Sequence, residues 1–391
     1  MRFSLGQDRR RKIGGNEDST AAHVGQAAQE DAITLIAALG AGVMASALAT
    51  PLCDNGHEVH LVGTHLDRDV IAEIQQTGRH RGLNLELPAE VTAYQLEDVA
   101  AAFDGADVVM SGVNSFGVEW ASEHLAPHLR PGVPVLSVTK GLAAADNGDL
   151  RILPDVLAQH LPPDLRAQIP WAAIVGPSIA GEVAVRRDSC LLFAGRDQAA
   201  VDMLARTFRT DRYHVWTTTD LVGAEVCAAL KNCFAFGVGL AEGVLTARGE
   251  SGSPYRNHNY EAALFAEGAL ETSRMVQVVG GSTETVLLLP SVGDMYVTST
   301  GGRNVRVGRL VGAGMNFTEA WQALDRITLE GAAAIGVVGG ALPKLTERGL
   351  VGAGEFPLLR HLHDVVSLEK RLDMPWSAFF GGEPGRGGRA S

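Results

Sequence analysis

Lysine occurs five times in the 391 residues, at Lys12, Lys140, Lys231, Lys344 and Lys370, although lysine and arginine together number 33. Surface cations here are almost all arginine, so a lysine in an apolar segment points to chemistry that only an amine can do. Lys231 is such a residue, with Asn232 beside it in GAEVCAALKNCFAFGVGL, residues 223–240, a run of mostly small or apolar side chains. A cation is costly to bury there. Burial, helped by a second cation, lowers a lysine pKa from about 10.4 toward neutrality. An amine tuned in that way acts as acid in one direction and base in the other. The opposing reading is a lysine that runs along the helix edge to water.

Partners for such a lysine stand downstream in PSVGDMYVTSTGGRNVRVG, residues 290–308, read as a glycine-rich stretch between helices. Arg303 offers a fork of donors suited to a phosphate, Asn304 and Thr298 can orient hydroxyls, and Asp294 can pair with an ammonium group. Upstream, Lys140 follows the strand-like VLSVT directly, and IVGPSIAGEVA places Gly176, Ser178 and Ala180 after another strand. Ligands of open α/β sheets bind at these carboxyl ends. Ordinary solvated turns are the alternative for either segment.

Those residues need a scaffold. ITLIAAL, EVHLVG, ADVVMSGV, VPVLSVT, WAAIVG, SCLLFAG and YHVWTTT alternate with helical stretches before residue 219, and several are apolar throughout. Strands covered on both faces read this way, which predicts a doubly wound parallel sheet. From Asp220 onward long helical segments take over, through TEAWQALDRITLEGAAAIGVVGGALPKLTERG. Domains are therefore expected at 32–218 and 219–380, between a disordered extension at 1–31 and a disordered tail at 381–391.

The uncharged run AITLIAALGAGVMASALATPLC, residues 32–53, is long enough to cross a membrane by length alone. Its glycines favour another reading: strand, glycine turn, helix and next strand within about 30 residues, the setting of a dinucleotide fingerprint. Gly40 permits the tight turn, Gly42 lets backbone approach a pyrophosphate, and Ala45 lets helix pack on strand. The next strand ends with Thr64 and His65, with no acid until Asp67. Thr64, His65 and Arg68 can receive a ribose hydroxyl or a 2'-phosphate, which leaves NAD and NADP both open.

A net charge of -12 disfavours a nucleic-acid partner. Four cysteines without a CxxC pair, in apolar runs, read as buried free thiols in a reducing cytoplasm.

Six motifs, LGAGVMASALA, SVTKGL, VGPSIAGEVA, GAEVCAALKN, GDMYVTSTGGRNVRVG and TLEGAAA, stand in the order and approximate spacing of the nicotinamide-dependent glycerol-3-phosphate dehydrogenases, which this chain resembles over roughly residues 32–345. The resemblance implies an N-terminal Rossmann domain and a C-terminal all-α domain of the 6-phosphogluconate-dehydrogenase-like type. It implies reversible interconversion of sn-glycerol 3-phosphate and dihydroxyacetone phosphate with NAD or NADP. Lys231 then resembles the family's general acid/base, with Asn232, Lys140 and Asp294 completing the catalytic group. The substrate side takes Lys140, Gly176, Ser178, Thr298, Arg303 and Asn304. The cofactor side takes Gly40, Gly42, Val43, Met44, Thr64 and His65, then Ser115 and Phe116, then Lys140, Ala180, Arg303 and Glu330. No metal is implied.

The chain departs from the family at Met44-Ala45, where many members carry Trp-Gly, and at Gly302, where many carry Ser. Its segment from Thr298 to Arg303 is shorter, LTARGESGSPYRNHNY forms a longer loop, and GTHLDRDVIAEIQQTGRHRGL is similar to archaeal-type members. Two other readings fit the residues: a dehydrogenase of another polyol phosphate or hydroxy acid, and a dinucleotide-binding protein without turnover. The second needs neither Lys140 nor Lys231. Partners are expected to be a small phosphorylated substrate and a second copy in a homodimer, with no nucleic acid and no membrane span.

Overall fold

Eight segments gather into one sheet in this computed structural model, which describes residues 34–250 and 252–381. They are β1 (Leu35–Leu39), β2 (Glu58–Val62), β3 (Val91–Tyr94), β4 (Val108–Ser111), β5 (Val135–Ser137), β6 (Trp171–Val175), β7 (Ser189–Gly195) and β8 (Tyr213–Thr218). The spatial order is β3-β2-β1-β4-β5-β6-β7-β8, and its first six strands follow the order of the dinucleotide-binding doubly wound sheet. β1 lies parallel between β2 and β4, with Ile36 opposite both Val59 and Val108. The expectations for residues 1–31 and 382–391 lie outside the described residues.

Two features depart from the sequence pattern. β3 is short and only half-buried, so it lacks the apolar run that marks the inner strands. β7 pairs antiparallel with β6 and parallel with β8, so the sheet is mixed at this edge. The connection from β6 to β7 holds only the short helix Ala180–Ala184. Five helical residues rise about 7.5 Å and cannot carry the chain back along a strand of about 17 Å.

From residue 34 the uncharged run is β1, a turn, and helix α1 (Val43–Asp54), too short to be a single spanning helix. Beyond the sheet come α2 (Leu221–Ala247), α3 (His258–Val279), α4 (Asp294–Ser299), α5 (Arg303–Gly312), α6 (Glu330–Glu347) and α7 (Pro357–Ser367). Among the described residues α2 is the helix long and apolar enough to cross a membrane, yet 94% of its most apolar window is buried inside the protein. It is the axis of the helical part. Asp220 caps it by accepting from the Gly223 amide at 2.9 Å, and its other oxygen accepts from Ser282 N and Thr285 Oγ1 at 3.0 and 2.6 Å.

Glycines set how closely α5 lies on α2. A Cβ at Gly239 would sit 2.4 Å from the Val305 carbonyl oxygen, and one at Gly308 would sit 2.3 Å from that of Phe236. Gly243 and Gly312 repeat the arrangement one turn on. Backbone meets backbone, which fixes the residues at the start of α5 beside the middle of α2.

Three expectations change in detail. Residues 290–308 carry α4 and the start of α5, not an irregular loop. The expected single helix from Thr318 breaks after Phe317–Gln322 and resumes at Glu330, where Asp325 and Arg326 adopt φ of 54° and 53°. Cys227 and Cys233 are buried free thiols, but Cys190 is exposed and Cys53 half-buried. From Thr34 onward the chain is one compact unit. Val175 and Leu192 of the sheet share a core with Leu221 and Ala224 of α2.

Candidate active site

Gly40 ends β1 with φ of 107°, and a Cβ there would lie 2.9 Å from the Gly112 carbonyl carbon. Only glycine fits, because both the conformation and the space exclude a side chain. Gly42, at the start of α1, faces outward, and the helix begins without a side-chain cap. Its first amides are free for an anion. Around this turn the hydroxyls of Ser46, Ser111 and Ser115 are buried without hydrogen-bond partners. Val43 and Phe116 are exposed at 44% and 66%. An open glycine cradle with unpartnered donors fits a dinucleotide.

At the end of β2 the fold supplies what the spacing withholds. Asp67 turns back so that its Oδ2 accepts from Thr64 N at 2.9 Å, Thr64 Oγ1 at 2.7 Å and Ala41 N at 3.3 Å. A carboxylate therefore lies against the glycine turn. Arg68, expected at the ribose, instead pairs with Glu97. His65 is exposed, and its ring meets Trp120 edge-on at 5.3 Å, a neighbour that sequence spacing gave no reason to name.

Across the cleft the chain closes a polar line. Ser178 Oγ contacts Met44 Sδ at 3.5 Å, tying the loop after β6 to the glycine turn. Ala180 opens the short helix just beyond. Lys140, after β5, donates to the Gly176 carbonyl at 3.2 Å and to Asp294 Oδ2 at 2.7 Å. Lys231, 6% exposed in the middle of α2, donates to Asp294 Oδ1 at 3.0 Å and to Thr298 Oγ1 at 2.7 Å. Asp294 and Thr298 share one face of α4 at helical spacing.

Burial first, and then the charge of Lys140, lower the Lys231 pKa from 10.5 to about 8, against the opposing pull of Asp294 and Glu330. Burial alone would raise Asp294, but Lys140 and Lys231 outweigh it and hold its carboxyl below the ordinary value. The site thus has two cations on one anion, with one cation poised to exchange its proton near neutral pH.

A second layer lies alongside. Asn304 donates to Asn232 Oδ1 at 3.2 Å and accepts from the Gly331 amide at 3.2 Å. Gly331 is packed so tightly that a Cβ would lie 2.6 Å from the Asn232 carbonyl oxygen. Glu330 stands next to it at the start of α6. Arg303, the first residue of α5, is exposed and has no ion-pair partner among the described residues. Its guanidinium is available to an incoming anion. The buried acid Glu225, on α2 before Lys231, is a residue that the sequence reading passed over.

Sheet order, glycine turn and lysine-bearing cleft define a two-part oxidoreductase that binds a nicotinamide dinucleotide. The chain belongs to the NAD-dependent glycerol-3-phosphate dehydrogenase family: its residues 35–201 match the model of the family's N-terminus and residues 220–375 that of the C-terminus. It is 32% identical to the NADP(+)-dependent glycerol-3-phosphate dehydrogenase of Archaeoglobus fulgidus, over 75% of this chain and 84% of that one. It is 31% identical to the glycerol-3-phosphate dehydrogenase [NAD(P)+] of Mycobacterium avium, over 90% and 95%. The crystal structure of the Coxiella burnetii glycerol-3-phosphate dehydrogenase superposes with a TM-score of 0.72 at 28% identity, covering 87% of this chain and 96% of that one.

Proposed function

We propose that this enzyme interconverts sn-glycerol 3-phosphate and dihydroxyacetone phosphate, using NAD or NADP. The observation that carries the reading is the line Lys140–Asp294–Lys231, with 2.7 and 3.0 Å contacts, together with Arg303 at the start of α5, exposed and without an ion-pair partner among the described residues. When bound, the nicotinamide supplies or takes the hydride. Lys231 as ammonium donates the proton to the carbonyl oxygen during reduction and, when neutral, takes the hydroxyl proton during oxidation. Lys140 adds positive charge where the oxygen becomes negative, and Asp294 aligns both ammonium groups. Arg303 holds the phosphate, with Asn304, Asn232 and Thr298 orienting the rest of the substrate. Gly176 and Ser178 form the loop on its other side.

Gly40, Gly42, Val43 and Met44 would hold the pyrophosphate end of the cofactor. Thr64 and His65 would meet its ribose, and Ser115, Phe116, Ala180 and Glu330 its nicotinamide half, with Lys140 and Arg303 shared between cofactor and substrate. In this reading residues 32–218 bind the dinucleotide and residues 219–380 carry the chemistry. The free cysteines fit a cytoplasmic location. A homodimer is part of this reading, and Leu270, Leu287 and Leu350 of the helical part are exposed apolar residues.

The test compares dihydroxyacetone phosphate with unphosphorylated dihydroxyacetone as substrates. The phosphorylated ketone is expected to be preferred by at least ~100-fold in kcat/KM, and Arg303→Ala should abolish most of the preference. Equal use of both ketones would exclude the phosphate role.

A further inference from the structure

His80 is 2% exposed and lies in a small hairpin, Arg79–His80 paired with Leu85–Glu86, that follows the helix after β2. The hairpin folds back over the glycine turn. Its Gly82 sits so close to the first residue of α1 that a Cβ there would lie 2.8 Å from Val43 Cγ1. Leu83 and Leu85 pack on the core that holds Ala41 and Ala45. His80 itself reaches into the turn: its Nε2 lies 3.0 Å from the carbonyl oxygen of Ala41, the residue between Gly40 and Gly42. A carbonyl only accepts, so Nε2 carries the proton. Nδ1 accepts from the Leu83 amide at 3.1 Å, which the His80 carbonyl shares at 3.2 Å.

The Ala41 carbonyl and the Gly42 amide belong to one peptide plane and, in the trans form, point in opposite directions. Fixing the carbonyl on the His80 side therefore fixes the Gly42 N–H on the other. The preceding peptide is held as well, because Ala41 N donates to Asp67 Oδ2 at 3.3 Å. With glycine on both sides of Ala41 the turn needs such restraints, since glycine leaves the backbone wide freedom to rotate. Asp67 and His80 both come from the stretch GTHLDRDVIAEIQQTGRHRGL. We propose that His80 is a positioning residue for the dinucleotide, holding the Ala41–Gly42 peptide so that the Gly42 amide joins the free amides at the start of α1 in facing the pyrophosphate. The imidazole acts through this one peptide and needs no contact with the cofactor. Donors set in place beforehand bind an anion more tightly than donors that must first be ordered. The inference rests on the reading of the glycine turn as the pyrophosphate cradle.

The experiment reads cofactor binding without turnover. NADH and NADPH are titrated by fluorescence into the full-length protein, as wild type and as three variants whose folding is checked by Tm. His80→Gln places an amide donor near the position of Nε2. His80→Asn places its polar atoms near Nδ1 and falls short of Ala41, and His80→Phe keeps a ring but loses both bonds. Asn and Phe are expected to raise the Kd by ~5-fold or more, as the loss of one hydrogen bond allows, while Gln stays within ~2-fold of wild type. A residue that only braced the hairpin would give the reverse order, because Asn retains an acceptor for Leu83. The Gln and Asn pair decides the matter even if Phe folds poorly. An unchanged Kd in folded Asn, or a loss in Gln at least as large as in Asn, overturns the proposal. Wild-type protein that binds neither cofactor would instead remove the pyrophosphate reading of the turn.

Discussion

Lys231 and Lys140 bind opposite oxygens of one carboxylate, Asp294 Oδ1 at 3.0 Å and Oδ2 at 2.7 Å. One lysine comes from the core helix and the other from a strand-end loop 91 positions earlier in the chain, so the pair exists only when the sheet and the helices are docked. The arrangement makes Asp294 structural and electrostatic at once. Asp294→Asn leaves two ammonium groups over a neutral amide, and breaking a buried charged cluster costs about 3 kcal/mol or more. Both a lower Tm and a further depressed Lys231 pKa are expected, read by calorimetry and by the pH–rate profile. A variant with wild-type Tm and profile would show that the carboxylate does neither.

The pH dependence follows from the lowered pKa of Lys231, about 8 instead of 10.5. Reduction needs the ammonium form, so its rate should be full below that value and fall as pH rises through about 8. Oxidation needs the neutral amine and should rise over the same interval. Initial rates in both directions across neutral to alkaline pH check this, and parallel profiles in the two directions would exclude one shared acid/base group.

Arg303 is exposed and makes no ion pair among the described residues, so its removal should cost binding more than folding. Arg303→Ala is expected to raise KM for the phosphorylated substrate by at least ~30-fold, with Tm nearly unchanged, since a charged hydrogen bond contributes about 2–3 kcal/mol. An unchanged KM removes the phosphate role.

The glycine contacts make a prediction away from the charges. A Cβ at Gly308 would lie 2.3 Å from the Phe236 carbonyl oxygen, so Gly308→Ala forces α5 away from α2 and costs about 1–3 kcal/mol. The same displacement moves Asn304 from Asn232 and Arg303 from the cleft. Both Tm and kcat/KM should fall, and a variant normal in both would mean that the helices have slack that this packing does not show.

What the chain revealed before folding divides along physical lines. Lys231 stood out because a rare residue type lay in an apolar run, and Lys140, Gly176 and Ser178 because strand ends are where ligands bind. The glycine turn was legible from the spacing of Gly40 and Gly42 after a strand, and at Gly40 φ and space leave no other residue. The helices Asp294–Ser299 and Arg303–Gly312 were hidden by their glycines: Gly301 and Gly302 do form the turn between them, whereas Gly308 serves close packing. Asp67 was discounted because strand-end spacing ignores a chain that turns back on itself, and Glu225 was hidden among alanines because its full burial depends on tertiary packing. The reversal at β7 was invisible because an apolar strand reads the same in either direction.

The most direct test is the loss of NADH absorbance, and separately of NADPH absorbance, when purified protein meets dihydroxyacetone phosphate, with Lys231→Ala as the paired control. Rapid oxidation of one or both cofactors by the wild type is the expected result. Lys231→Ala should run slower by at least ~10²–10⁴-fold, the usual contribution of a positioned acid or base, and should still bind cofactor. Undiminished oxidation by Lys231→Ala, or cofactor binding without any oxidation by the wild type, would contradict it.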